Sequence, residues 1–265
     1  MLMKRLCIVL VVVFIAGSYA HGATLWTDGF ESDTAVGSTA GDFEGTDCDP
    51  GAPWVTSESE FRRFQVVNTS SAGDGLTGTH RVRTGDNSLS IWYGTPADTA
   101  KRPTTTSEPV LIYDMWVNPH VNSEFMADLI SDDGSLGPTL GIVGSGTLRY
   151  YLGGWQDIAT GLTLADQWNN FVVEADLTRA RIGGGTGQFK VTLNGTTYDN
   201  GGNWFDFQHS WENGPEDLDS YGDLSTYVMA GWGSWVDDIE VSAIPEPATL
   251  ALLGLGGLFL RRRRS

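Results

Sequence analysis

Phe171-Val172-Val173-Glu174-Ala175-Asp176-Leu177, then Gly183-Gly184-Gly185-Thr186-Gly187, then Gln188-Phe189-Lys190-Val191-Thr192-Leu193-Asn194-Gly195 is the stretch that decides the fold. Phe171, Val173, Ala175 and Leu177 share one face, and Val172, Glu174 and Asp176 share the other. After the glycines, Phe189, Val191 and Leu193 alternate with Gln188, Lys190 and Thr192. A period of two is the period of a strand. Asn194-Gly195 supplies two residues that tolerate the left-handed backbone of a tight antiparallel turn. The stretch predicts an antiparallel hairpin with one buried and one wet face, introduced by Trp168-Asn169-Asn170.

The same grammar extends in both directions. Residues 25–31 read as a first strand, and residues 32–60, polar and acidic with Pro50 and Pro53, as a long loop. Residues 88–93 read as a strand after the turn Gly85-Asp86-Asn87, and residues 96–109 as a Thr/Pro-rich connection. Residues 110–117 are apolar on both faces, which predicts a central strand. Residues 125–130 and 140–143 flank the turn Asp132-Asp133-Gly134, and residues 148–152 follow a further glycine-rich turn. No stretch of the body holds a 3.6 period over three turns. The fold class is therefore all-β, an antiparallel β-sandwich.

Both ends fall outside that pattern. Lys4-Arg5, the apolar residues 6–16 and Ser18-Tyr19-Ala20 have the layout of a secretory signal peptide, expected as an N-terminal helix and cleaved after Ala20. At the other end, Pro245-Glu246-Pro247 precedes the mostly apolar residues 248–260 and then Arg261, Arg262, Arg263 and Arg264. The prolines stop any helix or ladder from running into the tail. A short hydrophobic helix over the apolar run rises about 20 Å against a hydrocarbon core of about 30 Å, so the arginines must snorkel for it to span. This order of parts resembles the PEP-CTERM sorting signal of exported bacterial proteins. The resemblance implies an exosortase-type processing enzyme as partner, transient anchoring in the inner membrane, and a final place at the cell surface or in the extracellular matrix. The chain divides into residues 1–20 (signal), 21–243 (sandwich) and 244–265 (sorting tail).

Composition limits the partners. Six of the 16 Lys and Arg lie in the two ends (Lys4, Arg5 and the four tail arginines), as does one of the 33 Asp and Glu (Glu246). The body thus carries a net charge of about −22, against −17 for the whole chain. Such a surface repels nucleic acid and anionic lipid, and suits divalent cations, cationic partners or neutral glycans. Cys48 is the body's single cysteine, which excludes an internal disulfide.

Trp168 with the strand after it, Asn194-Gly195, and the closing Trp235-Val236-Asp237-Asp238-Ile239-Glu240-Val241 are similar to laminin-G-like, concanavalin A-like jelly rolls. The resemblance implies that the first strand (Asp28-Gly29-Phe30-Glu31) lies beside the last. It also places Glu31 with Asp237 and Asp238, which makes these three the candidate ligands of a structural Ca²⁺, a cation that takes carboxylate oxygens. A second acidic run, Asp217-Leu218-Asp219-Ser220-Tyr221-Gly222, starts like an EF-hand loop but departs from it at Tyr221.

Catalytic constellations are incomplete. Jelly-roll glycan hydrolases use a Glu-x-Asp-x-(x)-Glu pattern, because acid and nucleophile must flank one bond at a set separation. Glu174 and Asp176 supply its first half, but Thr178, Arg179 and Ala180 follow, so both read as the wet face of a strand. His21, His80, His120 and His209 are scattered and read as surface or capping groups. No catalytic residues are assigned. Of the ten tryptophans, Trp92, Trp116 and Trp168 read as core, whereas Trp155, Trp204 and Trp211 sit among Gly, Asn and Asp and are candidate stacking platforms for sugar rings. Two functions follow: a non-catalytic protein binding exopolysaccharide or another glycan or packing within the matrix, or a glycoside hydrolase or lyase on the same fold.

Overall fold

A computed structural model describes residues 23–30, 55–57, 64–68, 83, 85, 87–91, 99–103, 108–130, 136–208, 220–228 and 233–244. In chain order its strands are β1 (Ala23–Asp28), β2 (Val55–Ser57), β3 (Phe64–Asn68), β4 (Asn87–Ile91), β5 (Thr99–Pro103), β6 (Val110–Pro119), β7 (Ser123–Ile130) and β8 (Leu136–Val143). They continue as β9 (Thr147–Tyr151), β10 (Trp155–Ala159), β11 (Asn169–Ala180), β12 (Thr186–Leu193), β13 (Thr196–Tyr198), β14 (Phe205–Asp206), β15 (Ser220–Val228) and β16 (Ser234–Ile244). All pairings are antiparallel. Sheet A runs β13-β12-β11-β6-β16-β4-β3, with β14 on β12 and β1 on β16; sheet B runs β10-β9-β8-β7-β15-β5-β2. The fold is the expected all-β sandwich. The signal and tail helices lie outside the described residues.

The deciding hairpin forms as read. Phe171 faces Leu193, Val173 faces Val191 and Ala175 faces Phe189 across β11 and β12. Asn194 and Gly195 both have positive φ (51° and 77°), as the tight turn requires. Phe171, Val173, Ala175 and Leu177 are buried against Phe125, Ala127, Leu140, Ile142 and Leu148 of sheet B, so the core lies between the sheets. β6 is central, flanked by β11 and β16.

The first and last strands are neighbours. The C-terminal half of β16 pairs with β1 and its N-terminal half with β4, end to end along one edge, while β6 takes the other edge.

Four expectations need correction. β2 falls inside the stretch read as a loop and β5 inside the Thr/Pro-rich connection; they pair at the edge of sheet B, where a proline is tolerated and alternation is weak. β8 starts at Leu136 and runs through Pro138. Ser220-Tyr221-Gly222 belong to β15, with Ser220 facing Ile130 and Tyr221 facing Leu129, so the EF-hand-like run ends in a ladder. Trp116 and Trp168 are half-buried rather than core, and Trp92 lies outside the described residues.

Candidate functional site: the outer faces of the two sheets

The outward positions of β6, β7, β9, β11, β12 and β16 carry the sandwich's chemistry. Three half-buried tryptophans, Trp116 on β6, Trp155 on β10 and Trp204 between β13 and β14, share one construction: a cation over the ring, held in turn by a carboxylate.

On sheet B, Glu124, Gly141 and Arg149 share the outer face through cross-strand pairing of β7, β8 and β9. Arg149 donates through Nε to Glu124 Oε1 at 2.5 Å and through Nη2 to Oε2, a bidentate pair. Glu124 is 1% exposed, and the pairing supplies the partner its charge requires. The Arg149 guanidinium lies 4.2 Å from the centroid of the Trp155 ring, and Tyr151 meets Trp155 edge-on at 5.6 Å. Gly141 is small because a Cβ there would run into Glu124 and come within 3.3 Å of Arg149 and Trp155.

On sheet A, Arg179 and Lys190 lie 4.6 and 5.0 Å from the Trp204 ring. Lys190 is ion-paired with Glu174 at 2.8 Å, and Arg179 Nε donates to Gln188 Oε1 at 2.8 Å. Further along the face, Arg83 lies 3.7 Å over Trp116 and is ion-paired with Asp238. Desolvated cation–ring contacts contribute about 2 kcal/mol, exposed ones less.

The expected residues are placed as follows. Trp155 is on sheet B and Trp204 packs on the outside of sheet A, so they do not share a platform; Trp211 lies outside the described residues. Asp237 is fully buried in a bulge of β16, where Asp238 has φ 47°. Its carboxylate accepts from the backbone N–H groups of Arg83 (3.0 Å) and Asp238 (2.8 Å). Arg83 therefore puts a guanidinium beside the Asp237-Asp238 pair where the sequence points to Ca²⁺; Glu31 lies outside the described residues, and among those described no group of three His, Cys, Asp or Glu is arranged to hold a metal. Glu174 is the partner of Lys190, and Asp176 Oδ1 accepts from Thr178 and Arg179 to close a turn. His120 Nδ1 accepts from the Asn122 N–H in the β6–β7 turn. The cations over the rings escaped the sequence reading. The available signal was the opposite-charge pair Glu174 and Lys190, one on each limb of the deciding hairpin.

Asp114 is an outer-face carboxyl held above its ordinary range. Burial is the main cause, and the charges of Glu240 and Asp238 add to it; the hydrogen bond from Asn170 Nδ2 (2.7 Å) and the charge of Arg83 oppose it. A raised folded-state value means that this carboxyl favours folding most below its unfolded value of about 3.9, and that the contribution is lost as pH rises through the folded value. Asp114→Asn keeps the acceptor for Asn170 and removes the charge. Thermal melts across pH should show the variant more stable at neutral pH by up to about 1 kcal/mol, the scale of one partly screened charge. The difference should vanish below about pH 4. A variant less stable at neutral pH would contradict this reading of Asp114.

Residues 243–264 match the PEP-CTERM protein-sorting motif. The chain carries an exosortase sorting signal. It is thereby an exported protein, anchored transiently in the membrane and processed at its C-terminus by an exosortase on its way to the cell surface. No curated protein matches the chain. Among solved structures it is similar to the alginate lyase vAL-1 from Chlorella virus (13% identity, TM-score 0.39, 88% of this chain and 97% of that one). It is also similar to the CBM22-1 xylan-binding domain of Paenibacillus barcinonensis Xyn10C (12% identity, TM-score 0.36, 85% and 97%). A match to a sialidase (8% identity, TM-score 0.43) covers 68% of this chain and 17% of that one. At such values none of these assigns an activity.

Proposed function

We propose that the sandwich is a non-catalytic, surface-displayed module that binds glycan, exopolysaccharide included, with the outer face of the β9–β10 edge hairpin as its platform. The observation that carries this reading is the Tyr151–Trp155 aromatic pair beside the Arg149 guanidinium. Aromatic surface suits the apolar face of a sugar ring, and the exposed Asp157, which faces Arg149 across the ladder, offers a group for its hydroxyls. The non-catalytic part rests on the state of the acids. Glu124, Glu174, Asp176, Asp206, Asp237 and Asp238 are each engaged by a cation, an amide or a backbone N–H. A hydrolase needs two acids facing one bond.

The exported protein should be screened on a glycan array with and without Ca²⁺, beside Trp155→Ala and Trp204→Ala. The expected result is binding that falls about tenfold or more on Trp155→Ala, the loss of about 1.4 kcal/mol or more, and that survives Trp204→Ala. A signal that requires Ca²⁺ would show that a cation takes part in the binding. Absence of binding to any glycan, or turnover of one, would overturn the proposal.

A further inference from the structure

The β11–β12 turn puts an isoleucine into solvent at one pole of the sandwich. Ile182 is 73% exposed, against 42% for Val121 and 37% for Leu152, the other exposed large apolar residues among those described. It is held there by a built support. Asp206, itself nearly buried, accepts from the Ile182 N–H at 3.0 Å, the Gly183 N–H at 3.1 Å and Gln188 Nε2 at 2.8 Å. Burial alone would raise this carboxyl; those hydrogen bonds and the charge of Arg181 outweigh it and leave it below its ordinary value. Arg181 N–H donates to Gly185 O at 3.0 Å, and Arg181 Nη1 donates to Gly184 O at 3.3 Å.

Arg181 stands beside this apolar tip, while Arg179, at the base of the turn, is taken up by Gln188 and the Trp204 ring. Among the described residues, Asp176 and Asp206 are turned onto the loop's own N–H groups, and Glu108 precedes Pro109, whose carbonyl accepts from the Leu177 N–H.

The register places this tip at the pole where the chain leaves the sheet. Val110 of β6 faces Asp176 of β11 on one side and Ile244 of β16 on the other, and Ala243 faces Ala23 of β1. The hairpin continues past that row by four residues, to Ala180, before it turns, a rise of about 13 Å. It stands two strand spacings from β16, about 10 Å to the side. Only Pro245, Glu246 and Pro247 separate the last paired residue from the apolar run of the tail. Three extended residues span at most about 11 Å. When the tail is in the bilayer, this pole has no stalk to hold it away.

We propose that the 178–185 turn is a membrane-contact loop: while the tail is inserted, Ile182 dips into the interface of the bilayer, with Arg181 beside it on the headgroup side. The inference rests on the sorting reading and adds an orientation to it, with the β11–β12 tip down and the Asn194-Gly195 turn, at the far end of β12, pointing away. An exposed apolar tip with an arginine beside it suits that boundary, where burial of the apolar side chain supplies the attraction.

The test uses the full chain, tail included, with Cys7 and Cys48 changed to serine. An environment-sensitive fluorophore is placed on Ile182→Cys or, as control, on Thr196→Cys. Each protein is incorporated into phosphatidylcholine–phosphatidylglycerol vesicles and floated. The expected result is that the label at 182 loses about half its emission to a spin-labelled lipid of interfacial depth, while the label at 196 is unaffected. Flotation with no quenching at 182, or with quenching at 196, would overturn the loop's role and leave the sorting reading intact. A chain that does not float would remove the sorting reading and the proposal together.

Discussion

Arg149→Ala is expected to lower the unfolding free energy by about 3–5 kcal/mol, the usual loss when one partner of a buried ion pair is removed. The size follows from asymmetry. Glu124 is 1% exposed and Arg149 22%, so water reaches the cation but not the acid. Truncating Arg149 strands the acid beneath Trp155 and also removes the stem that fills the space beside Gly141. Replacing both partners by leucine should recover most of the loss, since an apolar pair leaves no charge to solvate. Urea unfolding of the wild type, Arg149→Leu, Glu124→Leu and the double leucine variant, read as a cycle, isolates the pair. A single-variant loss under about 1 kcal/mol, the level of an ordinary surface bridge, would show that the pair is far wetter than the structure has it.

Replacing Pro245, Glu246 and Pro247 by alanines should abolish processing of the tail. Ile244 is paired with Val110, and Pro245 follows with no N–H to continue the ladder, so the strand must end there. Each proline also forces the residue before it toward an extended conformation. Alanine removes both constraints and lets the segment join the sheet or the apolar helix, which takes away the extended knuckle an exosortase would grip. The variant should accumulate at the unprocessed mass in the membrane fraction, with almost none released or displayed. Immunoblots of membrane and external fractions report both quantities. Unchanged mass and distribution would remove the motif's role.

Legibility tracked burial. The β11–β12 hairpin and β6 were readable because one or both faces pack into the core and every second residue reports it. The pairing of β1 with β16 followed from the jelly-roll resemblance. β2 and β5 escaped notice because they pair at the edge of sheet B, with Pro103 at the end of β5, where no apolar face enforces alternation. The outer faces were harder. Trp116 looks like core when every other neighbour is apolar, and only the sheet reveals that Arg83 comes over it from a distant loop. Arg149 and Glu124 stand 25 positions apart, and Trp155 lies on the next strand; side-chain spacing along the chain does not reveal that stack. Three of the four arginines and lysines that cover rings have their carboxylate or amide partner on another strand, so the grouping is a product of register.

The place of β16 sets an order of events. It is the last strand made, yet β1, β4 and β6 all need it, and its pairing with β1 joins residues more than two hundred positions apart. Local hairpins such as β11–β12 can close early, but sheet A cannot be completed until residue 244 is available, and the sorting motif begins at the same place. Completion of the sandwich and delivery of the sorting tail therefore fall together.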